Sequence, residues 1–356
     1  MYAHTYALIP WCGMRDSQTS RPPRAIDVAA AAGVSTATVS RAFNAPEKVL
    51  PEVRDKIFAV AAELGWLPNA AGAALASRRT WLAGVLIPTL DHDVFAAQVN
   101  ALQAHLSASG ITVLIGCSNY DLDEATEQVR VMLARGIEAL AIVGEQQRPE
   151  LFEMISARGV PYVVMYSHPP KSVHPCVGFD NQAAFFKLTR YLLDLGHRTF
   201  AVIHQPSLDN DRVLARLAGI REALAGEGLA LRPQHIFEGQ ATFEFGRESL
   251  KTCLAGPGPR PTAVICGNDT LAIGALIEAR AMGIDVPGTL SVTGFDDLPI
   301  AEFTAPPLTT MRVDNAAIGK AAAGYLLTQL KRQAATPQPP FEAQLIVRGS
   351  TGPVGA

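Results

Sequence analysis

The stretch AIDVAAAAGVSTATVSRAFN, residues 25–44, decides how the first part of this chain folds. Asp27 is a good helix N-cap residue, and it predicts a helix over 28–32 that a glycine then ends. Ser35 can cap a second helix over 36–44 after a short turn. Two short helices joined by a four-residue turn that contains glycine are typical of a helix-turn-helix. The stretch therefore predicts such a pair.

A third helix is predicted to begin at Pro51, a residue suited to the first helical turn, and to run to Gly65. Its apolar residues recur at helical spacing: Val53, Ile57, Val60, Ala61 and Leu64. The core of the helical pair would consist of small and branched apolar residues: Val28, Ala29, Ala32, Val34, Val39 and Phe43. Residues 25–68 are therefore predicted to form an all-α domain.

The outward face of the second helix would carry short polar side chains, one methyl group and one arginine: Ser35, Thr36, Ala37, Ser40, Arg41 and Asn44. Hydroxyls near a helix N-terminus can donate to phosphates beside the free backbone N–H groups. Arg41 can contact guanine O6 and N7 in the major groove, and the Ala37 methyl can pack on thymine. The same residues also fit a solvated helix face with an N-cap serine, so both interpretations stay open.

From Leu82 onward, short apolar runs alternate with longer helical patterns, which is typical of parallel strands covered by helices on both faces. There are too many such units for one compact sheet. We therefore predict two α/β lobes over residues 81–350, each presenting its ligand loops at the carboxyl ends of its strands. Residues 351–356 would form a short tail.

Polar groups suited to a hydroxylated ligand follow several of these strands. They lie in TLDHDVF (89–95), in GND (267–269), in GFDD (294–297) and at Arg216. A carboxylate accepts hydrogen bonds from hydroxyls, an amide both donates and accepts, and a guanidinium can bridge neighbouring oxygens. Asp269 could instead cap the helix that follows it, so two roles stay open for this residue.

The sequence contains none of the catalytic motifs GxGxxG, GxxxxGK[ST], HExxH or GxSxG. Its eight histidines are scattered and lie mostly in predicted loops, and no spacing selects a catalytic triad. We therefore predict a binding protein with no catalytic residues. Two rivals are a divergent enzyme on the same lobes and a solute-binding protein without DNA binding.

Composition is that of a folded chain with more than one core, since 48% of the 356 residues are hydrophobic and 18% are charged. The net charge of −3 is unevenly distributed. Residues 15–80 carry nine Lys and Arg against six Asp and Glu, and the other residues carry 21 against 27. A basic first domain suits a polyanionic partner, although an excess of three charges is weak evidence by itself.

The five cysteines are far apart and form no CxxC pair or Cys/His cluster. This usage predicts neither zinc nor a disulfide framework, and we expect no metal or other cofactor and a reducing cytoplasm. No apolar run approaches the ~20 residues that span a bilayer. The apolar patch before Met14 follows no Lys or Arg and contains Pro10, which makes it a poor signal peptide. Residues 1–24 are expected to be disordered, and Met14 is an alternative start.

Three segments give a specific resemblance: IDVAAAAGVSTATVSRAFN, VRDKIFAVAAELGWLPNAAGAAL and SRRTWLAGVLIP. They resemble the lac/galactose/purine-repressor (LacI/GalR) family of bacterial transcription regulators, and the likeness extends from residue 25 to about 350. It implies a periplasmic-binding-protein-like core whose chain crosses between the lobes three times, near 166–177, 296–301 and 310–314. It also implies a homodimer on a pseudo-palindromic operator in double-stranded DNA.

The resemblance also implies a hinge over residues 69–80 that becomes helical on operator DNA. Leu75 would then insert into the minor groove, and Lys48 and Asn69 would join the DNA-contacting residues. Where the family often has Arg-Ser in the hinge, this chain has Ala73 and Ala74. Fewer phosphate contacts predict a smaller dependence of DNA binding on salt.

For the effector, the resemblance assigns contacts to Arg216, Asn268 and Asp296, and the segment 89–95 adds Asp91 and Phe95. Tyr166 stands where many members of the family have an aspartate, and Phe243 is the candidate for an aromatic contact. These residues imply a sugar or sugar-acid effector that controls operator affinity by closing the lobes.

Overall fold

The computed structural model describes residues 21–68, 79–334 and 338–355. The chain forms two compact units, residues 1–80 and residues 81–356. Two of the predicted DNA contacts, Asn69 and Leu75, lie outside the described residues, as does most of the predicted hinge.

The first unit contains three helices, α1 (Ala25–Ala32), α2 (Thr36–Asn44) and α3 (Pro51–Glu63). A single turn of 3-10 helix, Pro46–Lys48, connects α2 to α3. Ser35 caps α2 as predicted, because its hydroxyl accepts a hydrogen bond from the Thr38 backbone N–H at 3.1 Å. The helix-turn-helix prediction is confirmed.

The cap predicted for α1 is wrong. The helix begins at Ala25 with Arg24 at the N-cap position, so Asp27 is the third helical residue. The Asp27 carboxylate accepts the Arg24 backbone N–H at 2.8 Å and two hydrogen bonds from the Arg21 guanidinium. These bonds hold the pKa of Asp27 below its usual value. Arg21 and Arg24 therefore contact α1 through Asp27.

The core of the first unit is formed by buried small and branched side chains: Val28, Ala29, Ala32, Val39, Ala42, Ile57 and Ala61. Phe43 packs its ring against Phe58 at 4.7 Å and against Trp66 at 5.3 Å between centroids. Leu64, the last of the apolar residues at helical spacing in the third predicted helix, is exposed. The helix ends before it, and Trp66 turns back to cover the core in its place.

In the second unit, the first lobe is a parallel sheet with strand order β2-β1-β3-β4-β5. Its strands are β1 (Leu82–Ile87), β2 (Thr112–Cys117), β3 (Ala139–Val143), β4 (Tyr162–Met165) and β5 (Cys176–Val177). The helices that follow the first three strands are α4 (Asp93–Ser107), α5 (Leu122–Ala134) and α6 (Pro149–Arg158). Strands buried on both faces explain their nearly continuous apolar sequences.

The second lobe is a parallel sheet with strand order β7-β6-β8-β9. Its strands are β6 (Phe200–His204), β7 (Ile236–Glu238), β8 (Ala263–Cys266) and β9 (Ser291–Thr293). Its helices are α7 (Asn181–Asp194), α8 (Asp211–Ala225), α9 (Phe243–Ala255) and α10 (Asp269–Ala281). The predicted fold class, a helical head with a two-lobed α/β core, is therefore confirmed.

The last elements join the lobes. Strands β10 (Thr310–Arg312) and β11 (Gln344–Ile346) pair antiparallel, and α11 (Asn315–Leu330) lies between them in sequence. Helix α11 packs on α4 of the first lobe, where the Gln98 amide donates to the Asn315 side-chain oxygen at 2.8 Å.

Two of the three predicted crossings are misplaced. Residues 166–177 still belong to the first sheet because β5 pairs with β4, so the first crossing follows Val177. Residues 296–301 stay in the second lobe, where Ala301 is buried in its core. The chain crosses near 310–314, as predicted, and returns after α11 toward β11.

Candidate functional site

A narrow cleft lies between the two lobes at the carboxyl ends of the strands. The first lobe contributes aromatic and apolar side chains: His92, Val94, Phe95, Tyr120 and Tyr166. The second lobe contributes mainly polar ones: Gln205, Asn210, Arg212, Val213, Arg216, Asn268 and Asp296. The cleft thus has an aromatic side and a hydrogen-bonding side, as expected for a site that holds a small organic ligand.

Tyr166 and Asp296 join the two sides of the cleft. The Tyr166 hydroxyl donates to Asp296 Oδ1 at 2.5 Å, although 130 positions separate the two residues. Burial and the Asp296 carboxylate raise the pKa of Tyr166 well above its usual value, so its hydroxyl keeps the proton that it donates. Both residues have positive φ angles, 63° and 106°, a strained backbone that often marks a functional site.

Arg216 is buried behind this pair. Its Nε donates to Asn181 at 2.8 Å, its Nη1 to the Gly267 carbonyl at 2.8 Å, and its Nη2 to the Tyr166 hydroxyl at 3.3 Å. Its guanidinium carbon also lies 4.2 Å from the centre of the Phe295 ring, which is a cation–π distance. Three directions of the guanidinium are therefore fixed before any ligand binds.

Two carboxyl groups near the cleft have raised pKa values. Burial raises the pKa of Asp296 to about 6, against the opposing effects of Arg216 and of the hydrogen bond from Tyr166. Burial raises the pKa of Asp269 to about 8, although Thr310 and the Leu298 backbone N–H donate to it at 2.6 and 2.7 Å. With a pKa of about 6, Asp296 is mainly ionised at neutral pH. Its carboxylate can then accept a hydrogen bond from a ligand hydroxyl.

The start of α8 connects the lobes. Asp211 accepts from the Glu145 backbone N–H at 3.0 Å and holds Arg212 Nη1 at 2.9 Å. Gly144 has a φ of 83°, and a Cβ there would lie 1.6 Å from Arg212 Nη1. The positive φ favours glycine at this position, and a Cβ there would displace the Arg212 guanidinium from its contact with the first lobe.

Five of the seven predicted effector residues line the cleft: Phe95, Tyr166, Arg216, Asn268 and Asp296. Asp91 lies just outside the lining and is exposed. Phe243 begins α9 with its side chain 44% exposed and is also outside the lining. The helix cap considered for Asp269 belongs instead to Asn268, whose side-chain oxygen accepts from the Leu271 N–H at 3.0 Å.

Several lining residues were not predicted from the sequence, among them His92, Tyr120, Gln205 and Arg212. Gln205 directly follows the carboxyl end of β6, just as Asn268 follows that of β8. The signal that predicted Asn268 could therefore also have identified Gln205. Arg212 lies four residues before Arg216, and this spacing places both on one face of α8. Tyr120 has no such signal, because it belongs to a loop whose course depends on the tertiary fold.

The outward face of α2 is exposed as predicted, including Ser35, Thr36, Ala37, Ser40, Arg41 and Asn44, and Lys48 beyond it is exposed too. Asn44 donates to the Ser40 hydroxyl at 3.2 Å, and Ser35 and Thr38 share a hydrogen bond of 2.9 Å. Within residues 21–68, the side chains of Arg41 and Lys48 have no hydrogen bond or ion pair. Two cations are thus free to contact an anionic partner.

Across the described parts of the chain, no group of three or more His, Cys, Asp and Glu residues is arranged to hold a metal ion. The helices in those same parts are too short or too polar to cross a membrane.

Comparison with protein families finds two matches. Residues 26–69 match the model of bacterial regulatory proteins of the lacI family. Residues 189–351 match the periplasmic binding protein-like domain.

Comparison with individual proteins gives likenesses over nearly the whole chain. The chain is 33% identical over 328 residues to the HTH-type transcriptional repressor CytR of Escherichia coli, covering 91% of this chain and 95% of that one. A LacI-family regulator from Silicibacter pomeroyi has a TM-score of 0.86 and 26% identity, covering 92% of this chain and 99% of that one. The lac repressor dimer bound to operator and the anti-inducer ONPF has a TM-score of 0.81 and 26% identity, covering 93% and 100%.

Proposed function

Because the chain belongs to the lacI family of bacterial regulatory proteins, we propose that it represses transcription as a homodimer on a pseudo-palindromic operator. Each first unit would place α2 in the major groove of one half-site. A hydroxylated small molecule, a sugar or sugar acid, would bind the cleft and control operator affinity.

The exposed face of α2 is the observation that carries DNA binding. Hydroxyls at its amino end suit phosphate contacts, and Arg41 is free to pair with the O6 and N7 of guanine. The solvated-face interpretation would leave a helix-turn-helix with no partner for this arginine. Membership of a family of DNA-binding regulators favours the first interpretation.

The cleft supports the effector role. It joins side chains of both lobes through Tyr166 and Asp296, so a ligand that contacts both would stabilise one relative position of the lobes. A ligand shifts such an equilibrium only by its difference in affinity for the two arrangements. The cleft therefore provides the link between effector concentration and operator affinity.

We further propose that the protein acts in the cytoplasm without catalysing a reaction. Its relatives are transcription regulators rather than enzymes, and bacterial DNA is cytoplasmic. A ligand recovered unchanged after incubation with the protein would support the absence of catalysis.

The decisive experiment is footprinting of the purified protein on the DNA upstream of its own gene and of neighbouring genes. It should be titrated over salt, with pooled sugars and sugar acids added in parallel. A protected near-palindrome whose affinity one ligand changes would support the proposal. Ligand binding without any specific protection would favour the alternative, a solute-binding or sensor protein without DNA binding.

A further inference from the structure

The charges that line the cleft are balanced within the protein. Arg212 is ion-paired with Asp211 at 2.9 Å, and Arg216 is linked through the Tyr166 hydroxyl to Asp296. Each of the two guanidinium groups thus has a matching carboxylate. No other Lys or Arg lines this cleft in the described parts of the chain.

The remaining titratable side chains of the lining add no positive charge. Burial lowers the pKa of His92 against the opposing effect of Asp91 and Asp93, which favours its neutral imidazole. Burial raises the pKa of Tyr120, which keeps its phenol protonated. The cleft therefore has no surplus cation with which to balance an anionic ligand.

Two acceptors in the cleft still lack donors. Gln205 Oε1 is buried and has no hydrogen-bond partner among the described residues, and a Cβ at Gly267 would lie only 2.4 Å from it. Asp296 Oδ1 is occupied by Tyr166, whereas its Oδ2 has no partner within the described chain. A buried acceptor without a partner is costly, which applies to Gln205 Oε1, and a carboxylate oxygen such as Asp296 Oδ2 can only accept. A fitting ligand would therefore offer O–H or N–H groups at these two points.

The opposite side of the cleft is aromatic. The His92 and Phe95 rings lie parallel with their centroids 5.9 Å apart, and Phe95 meets the edge of Tyr166 at 5.7 Å. Such a surface packs against C–H groups or a flat ring and offers little to a solvated carboxylate.

We infer that the effector is uncharged, with at least two hydrogen-bond donors and one apolar or flat face, and that the cleft selects against the corresponding acids. This inference rests on the proposed function, since it narrows the effector class of the same site. A ligand carboxylate would face two acceptors, one of them a carboxylate. The Arg212 guanidinium is already ion-paired through Nη1, and Arg216 already donates to Asn181, Gly267 and Tyr166.

The test uses matched pairs of compounds. The purified protein is dialysed to equilibrium against an equimolar pool of pentoses, hexoses and ribonucleosides with their aldonic acids and 5′-monophosphates, and retained compounds are identified by mass spectrometry. We expect the retained compound to be uncharged and to bind at least tenfold more tightly than its acid. An acid that binds as tightly as its uncharged partner overturns the inference.

The variant Asp296→Asn tests the cause of the selection. Removing this negative charge should reduce the preference for the uncharged compound over its acid at least threefold. The control Asp91→Asn makes the same change just outside the lining and should leave this preference unaltered. Equal effects of the two variants would contradict the role of Asp296. If Asp296→Asn does not fold, titrating the matched pair against the unaltered protein still decides whether acids are rejected.

The retained compound is then added to protein bound at the footprinted operator. An uncharged ligand that leaves operator affinity unchanged would contradict the proposed function and support the charge selection. An acid that changes operator affinity would support the proposed function and overturn the charge selection.

Discussion

Helix α2 and the cleft both use arginine and short polar side chains, but they use them in opposite ways. Arg41 is exposed on α2 and has no partner within residues 21–68, whereas Arg216 in the cleft is buried with three hydrogen bonds and an aromatic ring below it. An arginine left unpaired suits a partner that brings its own negative charge. An arginine fixed within the protein instead shapes a site, and its loss should affect more than one contact.

The largest effect is expected for Arg216→Ala, because it removes three hydrogen bonds at the back of the cleft. Effector affinity should fall by about 3 kcal/mol, roughly 100-fold, while operator binding without effector persists. Calorimetric titration of the effector and operator binding of the same preparation would measure both. Arg216→Lys is the matched variant: it keeps the charge but not the three directions of donation, so it should also respond poorly. A normal response in Arg216→Lys would contradict this geometric role.

For the exposed arginine, Arg41→Ala should weaken binding to the specific operator by roughly 1–3 kcal/mol and change random-DNA binding less. The matched control is Arg54→Ala, since Arg54 is another cation of the same unit but is already paired with Asp55 at 2.9 Å. Gel-shift titrations on operator and on scrambled DNA at one salt concentration would separate the cases. An equal loss on both DNAs would mean that Arg41 contacts phosphate and does not read a base.

Effector binding should also depend on pH through Asp296. Burial raises the pKa of this carboxyl to about 6, and its surroundings include Arg216, Tyr166 and the neighbouring carboxyl of Asp269. If the ionised form accepts a ligand hydroxyl, affinity is fully present above about pH 6 and is lost as the pH falls through that value. The loss should approach about 1.4 kcal/mol for each pH unit below it. Titrations from pH 5 to 8 should show this slope, and Asp296→Asn should remove it.

A region is predicted well from the sequence when its contacts join residues close in sequence, and poorly when they join distant ones. The fold of the head is local: the Ser35 cap, the turn and the apolar spacing of α3 all lie within a few residues of one another, and the three helices were predicted from them. The wrong prediction that Asp27 caps α1 also has a local cause. An acidic residue stabilises the amino end of a helix both at the N-cap and at the third helical position, so the sequence does not distinguish the two.

In the cleft, strand ends identified Asn268 and Asp296, since the carboxyl ends of parallel strands meet at one edge. Tyr166 stands where many members of the family have an aspartate. The sequence could not predict that its hydroxyl would donate to Asp296, 130 positions away. Nor could it separate His92, which lines the cleft, from the adjacent Asp91, which does not. The conformation of this loop decides which of the two adjacent side chains faces the cleft, and that conformation depends on tertiary packing.

The smallest expected effect concerns Ser35, which both caps α2 and is a proposed phosphate contact. Ser35→Ala should lower the unfolding free energy of the first unit by about 1 kcal/mol, because the Thr38 N–H loses its acceptor at 3.1 Å. Ser40→Ala is the matched control: it removes a hydroxyl from the same exposed face that bonds Asn44 but caps nothing, so its cost in stability should be near zero. Denaturation of residues 1–80 followed within the whole chain, beside DNA titrations of both variants, separates folding from binding. If Ser35→Ala weakens DNA binding by more than its loss of folding explains, the serine also contacts the phosphate backbone. If the two losses agree, its role is confined to the helix cap.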